Sequence, residues 1–131
     1  APEPLTDHDM HIALAALMVR LARADHDYSD AEVAKIDATL ATQFGLSPFD
    51  TAKLRGEAEV LEAEAPDTVR FTKALKDTVA YEDRFGLVKS LWTVVLADGE
   101  RADEEDAQMR LIVNLLGIND RDSALARQAA G

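Results

Sequence analysis

Residues 24–32 of the chain read ADHDYSDAE, and residues 97–105 read ADGERADEE. With an offset of 73 residues, the two segments carry an acidic residue at the same four places, which are 25/98, 27/100, 30/103 and 32/105. Each segment lies between two stretches with the apolar spacing of a helix. A helix, an acidic loop, a helix, a glycine stop and a capped third helix therefore occur twice. This order predicts two pseudo-symmetric halves, at about residues 10–55 and 83–127, joined by a connector at about 56–82.

The composition favours an all-α fold. Helix-forming residues dominate the chain, and alternating β-branched runs with hairpin turns are absent. Capping signals divide the 131 residues into predicted helices that begin at about Asp7, Ser29, Ser47, Asp67, Glu82, Asp103 and Asn119. Ser29 and Glu32 have the spacing of a capping box, and Gly45 and Gly117 are predicted to end helices in the left-handed conformation. Two repeats are too few for a solenoid, so we predict one domain, residues 1–131, built as a compact bundle of about seven helices.

The fifth predicted helix is expected at the centre of this bundle. Residues 85–96 read FGLVKSLWTVVL and are apolar nearly all round, which is typical of a buried helix. We expect Trp92 to be buried there, packed against Leu17 or Met18 of the first helix.

The charge balance excludes several classes of function. The chain has 14 Lys and Arg against 25 Asp and Glu, a formal net charge of −11. Non-specific binding of nucleic acid and of anionic lipid both need clustered cations. The absence of cysteine excludes disulfides and thiolate metal sites. We therefore expect no nucleic-acid partner and an affinity for cations or basic surfaces.

No segment is suited to crossing a membrane. The longest apolar stretch, residues 86–97, is far shorter than the roughly 20 residues that a spanning helix needs. The N-terminus, APEPLTDHDMH, has no signal-peptide pattern. We expect a cytoplasmic protein without direct membrane insertion.

Two interpretations of the acidic loops remain open from the residues alone. Several carboxylates close together repel one another, and Ca²⁺ or Mg²⁺, which prefer oxygen ligands, would relieve that repulsion. Acids in the first turn of a helix are also stabilising without any metal, because they interact with the helix dipole. The loops are not EF-hands, since the sixth position counted from Asp25 is Asp30 and not glycine.

The remaining candidates are weaker. His8 and His11 are one helical turn apart, and His26 lies in the first acidic loop, but no third ligand completes a transition-metal site. Arg70, Lys73 and Lys76 form a basic stripe that we expect to face acids of the third helix, which are Glu57, Glu59, Glu62 and Glu64. No phosphate loop, nucleophile elbow or zinc-protease motif is present. We expect no enzyme.

The doubled loop resembles the TerB-like family, the tellurite-resistance protein B superfamily. The resemblance is carried by Ala24-Asp25 to Glu32 and by Ala97-Asp98-Gly99-Glu100 to Glu105, and it covers about residues 12–127. The segments Phe44-Gly45-Leu46-Ser47, Arg70-Phe71-Thr72 and Leu91-Trp92 add to it.

The resemblance implies a function as well as a fold. It implies a bacterial stress-response or tellurite-resistance module, with acidic clusters that bind divalent metal, Ca²⁺ in particular. It also implies a protein partner, since related domains are fused to J-domains of membrane-associated chaperone systems. Matched position by position, the implied ligands are Asp25, Asp27, Glu32, Asp98, Glu100 and Glu105. The first loop departs from the pattern because His26 stands where the second has Gly99. The alternative is a protein-interaction module with an acidic surface and apolar grooves that requires no metal.

Overall fold

The predicted helices are all found in a computed structural model, which describes residues 7–24, 28–65, 68–96 and 103–130, apart from the side chains of Asp7, Arg70 and residues 103–105. They are α1 (Asp7–Arg23), α2 (Asp30–Phe44), α3 (Pro48–Glu64), α4 (Val69–Thr78), α5 (Tyr81–Val95), α6 (Asp103–Leu115) and α7 (Asp120–Ala130). The described residues include no strand. The all-α fold class is therefore confirmed.

Side-chain caps fix the starts of several helices where the sequence predicted them. The Ser29 hydroxyl accepts a hydrogen bond from the Glu32 amide at 3.2 Å, and the Glu32 carboxylate accepts one from the Ser29 amide. The Ser47 hydroxyl caps α3 through the amide of Asp50, and Asn119 caps α7 through the amide of Asp122 at 2.8 Å. Each cap satisfies an amide that has no partner within its own helix.

The predicted glycine stops are confirmed, whereas the start of α4 differs from its prediction. Gly45 has φ +64° and Gly117 has φ +74°, so both lie in the left-handed region. Asp67, the predicted cap of α4, lies outside the described residues. Thr68 occupies the N-cap of α4 and makes no side-chain capping hydrogen bond.

The prediction that α5 is the central helix is wrong, because α1 occupies the centre. From Leu14 to Val19 and again at Leu21 and Ala22, α1 has no exposed surface, and it packs against each helix from α2 to α6. In α5 the apolar pattern is interrupted by exposed Lys89. Trp92 is only partly buried, and its indole nitrogen donates to the Ser123 hydroxyl of α7 at 3.2 Å. Within the described ranges, no helix is both long enough and apolar enough to cross a bilayer.

Helix packing follows the same order in the two predicted halves. The most extensive packing is between α1 and α3 in the first half and between α5 and α7 in the second. The glycine stops and the caps Ser47 and Asn119 also occupy equivalent places. A full pseudo-symmetry, and the division into repeats and connector, remain predictions.

Candidate functional site

The first acidic loop joins the end of α1 to the start of α2. The helix before it ends at Arg23 and the next begins at Asp30. Two of its three predicted ligands, Asp25 and Asp27, lie outside the described residues. The described part of this site is therefore its α2 side, where Glu32 lies.

Glu32 is a buried carboxylate within a capping box. Glu32 is only 2% exposed. Its Oε1 accepts hydrogen bonds from the Ser29 amide and from the Ser29 hydroxyl, both at 3.2 Å. This geometry confirms that Glu32 acts as a cap. The capping hydrogen bonds also fix the position of the carboxylate at the base of the loop.

The second acidic loop joins α5, which ends at Val95, to α6, which begins at Asp103. Asp98 and Glu100 lie outside the described residues, as does the side chain of Glu105 in the first turn of α6. Asp106, one position further along α6, is partly buried. The structure thus fixes the two helices that carry this loop, and the ligand assignment stays a prediction.

The histidines predicted to lie on one turn of α1 are indeed on that helix, and each contacts another element. His8 Nε2 lies 3.1 Å from Glu57 Oε2 of α3, and the ring of His11 stacks on Phe44 of α2 with 3.7 Å between ring centroids. Among the side chains that the structure describes, no three His, Asp or Glu groups converge on a common point for a metal ion.

A group of three arginines and three acids, which we call the arginine–carboxylate network, joins α1, α2 and α3. Glu62 accepts from Arg20 Nε at 3.1 Å and from Arg23 Nη1 at 2.7 Å. Arg55 Nε donates to Asp37 at 2.6 Å, and its Nη1 donates to Glu59 at 3.0 Å. Arg20 also donates to the carbonyl of Ala65 at 2.8 Å and so satisfies the end of α3.

For Lys73 and Lys76, this network contradicts the prediction that the basic stripe of α4 faces the acids of α3, and the side chain of Arg70 lies outside the described structure. In the described structure, Glu59 and Glu62 pair with arginines of α1 and α3, and Glu57 pairs with His8. Lys73 and Lys76 are exposed instead. The reason is that α1, not α4, makes the most extensive contact with α3.

Tyr28 connects the network to the first acidic loop. The guanidinium carbon of Arg23 lies 5.0 Å from the centre of the Tyr28 ring. Burial, followed by the neighbouring Glu59 carboxylate, raises the pKa of the Tyr28 hydroxyl to about 12. This residue of the first acidic loop is thus held against α1 and α3.

The sequence analysis missed this network, although the spacing carried a signal. Arg20 and Arg23 are three residues apart, as are Glu59 and Glu62, so each pair lies on one helical face. Arg55 and Glu59 have the i, i+4 spacing of an ion pair. The spacing does not predict that α1 packs against α3.

Comparison with known proteins agrees with the all-helical fold. The sequence profile of the family described as "Tellurite resistance protein TerB" matches residues 11–128. No curated protein matches the sequence. The structure is similar to the crystal structure of a protein of unknown function from Porphyromonas gingivalis, with a TM-score of 0.70 and 18% identity over 96% of this chain and 98% of that chain. At that identity the likeness shows the fold alone. Because the family match spans most of the chain and includes both acidic loops, the protein belongs to the TerB family of tellurite resistance proteins.

Proposed function

We propose that the protein is a divalent-cation-binding regulatory module of a bacterial stress response, with Ca²⁺ as the preferred ion and Mg²⁺ as a weaker one. The observation that carries the proposal is the repetition of one acidic loop in register within the family match. The proposed ligands are those implied by the resemblance: Asp25, Asp27, Glu32, Asp98, Glu100 and Glu105. Backbone carbonyls and water would complete the coordination shell.

The helix boundaries support a cation at each loop. In the sequence, Asp25 comes two residues after Arg23, the last residue of α1, and Asp98 comes three residues after Val95, the last residue of α5. The carbonyl end of a helix carries partial negative charge, so an added carboxylate is unfavourable there while a cation is favoured. A bound cation would therefore offset both the helix end and the repulsion between carboxylates.

The two loops should differ in affinity. Gly99 stands in the second loop where the first has His26, and glycine has more backbone conformations open to it than any other residue. In the first loop, Glu32 Oε1 is held by Ser29. We therefore expect tighter binding at the second loop, with a dissociation constant on the order of 10⁻⁵–10⁻³ M for three carboxylates per ion.

Thermal unfolding with millimolar Ca²⁺, with Mg²⁺ and with chelator tests the proposal. A ligand that binds only the folded state stabilises it by mass action, by up to about 4 kcal/mol at a thousandfold excess over the dissociation constant. Ca²⁺ should raise Tm most, and Asp98→Asn should remove most of the rise without lowering Tm in chelator. Asp77→Asn, the same change of charge on an exposed residue of α4, is the control and should keep the full response.

Coincident melting curves in all three conditions would contradict cation binding and favour the interaction module. One observation already supports that second candidate. Phe49 is 78% exposed and Val60 is 60% exposed, and their separation of 11 positions is about three helical turns, so both lie on one face of α3. If the protein is an interaction module, Phe49→Ser should abolish binding of a protein partner and leave the fold intact.

A further inference from the structure

A polar cleft lies between α2 and α5. It has a volume of about 390 Å³, and seven of its lining side chains are polar or charged: Lys35, Thr39, Thr42, Gln43, Lys89, Ser90 and Thr93. None of the lining residues is acidic. The lining of the cleft therefore carries positive charge, whereas the chain as a whole has a net charge of −11.

The two lysines of the cleft are not neutralised by the part of the protein that the structure describes. The ion pairs among the described residues use His8, Arg20, Arg23 and Arg55 as their cationic partners, and neither Lys35 nor Lys89 is among them. Both side chains are exposed at the edge of the cleft. An ammonium group offers three donors and a full positive charge to whatever enters.

A further polar group is held at the floor of the cleft. The hydroxyl oxygen of Ser90, which is 6% exposed, lies 2.8 Å from Gln43 Oε1 and 3.0 Å from the Gly86 carbonyl oxygen, and its one hydrogen is donated to one of these two acceptors. The contact with Ser90 fixes the position of the Gln43 amide at the cleft. Gly86 lies beside Ser90 in the lining, and a Cβ built on it would meet no atom within 4 Å. The backbone of α5 is therefore open to the cleft at this point.

We propose that this cleft binds a phosphate group, carried either by inorganic phosphate or by a small phosphoester. Two ammonium groups balance the charge of a phosphate dianion and supply its main hydrogen-bond donors. The hydroxyls of Thr39 and Thr93 donate to carbonyls of their own helices, at 2.7 and 2.9 Å, so the lysines carry the recognition. The volume lies at the lower end of the range for small-molecule sites and exceeds what a single phosphate fills. A long polyanion such as nucleic acid is disfavoured by the overall negative charge.

Amide chemical-shift mapping by NMR tests the proposal on the full chain after removal of divalent cations. Inorganic phosphate and glycerol phosphate are titrated separately, with sodium chloride holding the ionic strength constant. Shift changes should concentrate in residues 35–43 of α2 and 86–93 of α5. Tighter binding of glycerol phosphate identifies a phosphoester as the ligand, and equal binding identifies the free anion.

Two sets of variants decide the outcome. The double variant Lys35→Gln, Lys89→Gln should weaken binding at least tenfold, whereas Lys53→Gln, Lys73→Gln, which removes the same charge elsewhere, should not. Gly86→Leu places a side chain in the open space and should also weaken binding. If Gly86→Leu does not fold, the lysine pair carries the test alone. The proposal is wrong if phosphate shifts amides near all lysines alike, or if the Lys35, Lys89 double variant binds as the wild type does.

Discussion

Glu62 binds two arginines of α1 with one carboxylate. Its side chain is 12% exposed, and its two oxygens accept separately from Arg20 and Arg23. Glu62→Gln keeps the shape of the side chain and removes the charge, which leaves two partly buried guanidinium groups without their main counter-charge. We expect the free energy of unfolding to fall by about 2 kcal/mol, measured by urea denaturation.

Glu64 on the same helix is the matched control, because its side chain is exposed. Glu64→Gln should change the free energy of unfolding by less than about 0.5 kcal/mol. Equal effects of the two substitutions would mean that the network does not stabilise the packing of α1 on α3.

Tyr28 is expected to ionise late. Its pKa is raised to about 12 by burial and by Glu59, above the usual value near 10 that the unfolded chain would show. Between about pH 10 and 12 the unfolded chain loses this proton while the folded chain keeps it, so stability falls as pH rises through this window. Ultraviolet absorbance of ionised tyrosine measures the titration.

Tyr81 must be separated from Tyr28 in that experiment. Its pKa is also raised, because its hydroxyl donates to Asp122 at 2.8 Å. Tyr28→Phe should remove the absorbance change at the higher pH, which belongs to Tyr28, and leave the change at the lower pH, which belongs to Tyr81. A wild-type titration in which both tyrosines ionise near pH 10 would contradict the partly buried position of Tyr28 beside Glu59.

At the scale of the helices, substitution by alanine is expected to have opposite effects on stability at the glycines that end helices and at a glycine within a helix. Gly45→Ala and Gly117→Ala place a Cβ at positive φ and should each destabilise by about 1 kcal/mol. At Gly117 the added Cβ would make an ordinary contact with Arg84 Nη1 at 3.4 Å, so the positive φ is the main cause of the cost at both positions. Thermal unfolding measures both.

Gly56→Ala within α3 is the control for these substitutions. A Cβ there meets no atom within 4 Å, and Gly56 is not in the positive-φ region. Alanine in a helix interior is favoured over glycine by up to about 1 kcal/mol, so this variant should be stabilised. Stabilisation of Gly45→Ala as well would contradict the left-handed stop.

The start and end of a helix are predictable when local chemistry decides them. Ser29, Ser47 and Asn119 cap their helices as the sequence indicated, since each cap depends on residues only three positions apart. The central helix was not predictable in the same way. Both α1 and α5 are rich in apolar residues, and only tertiary packing decides that α1 lies among α2 to α6.

At the scale of the whole molecule, the same limit applies to the candidate sites. The doubled acidic loop is visible in the sequence because its signal is local and repeated. The cleft between α2 and α5 was not foreseen, since Lys35 and Lys89 are far apart in sequence and neither belongs to a motif. Nothing in a single sequence indicates which faces of two helices meet.

Whether the two acidic loops act together depends on the distance between them. The helix after the first loop, α2, packs against α5, which ends at the second loop, and Gln43 and Ser90 are hydrogen-bonded across this contact. We predict a separation of less than about 25 Å, which is within the Debye length of about 30 Å at 0.01 M salt, so that the fields of both loops add at low ionic strength and are largely screened from each other at physiological salt. The chain has no cysteine, so His26→Cys with Arg101→Cys gives a cleanly spin-labelled pair for distance measurement by pulsed electron resonance.

If the loops are close, Asp25→Asn should weaken Ca²⁺ binding at the second loop, and more so at low salt. A longer distance, together with Ca²⁺ binding at the second loop that is indifferent to Asp25→Asn, would mean that each loop binds its ion independently.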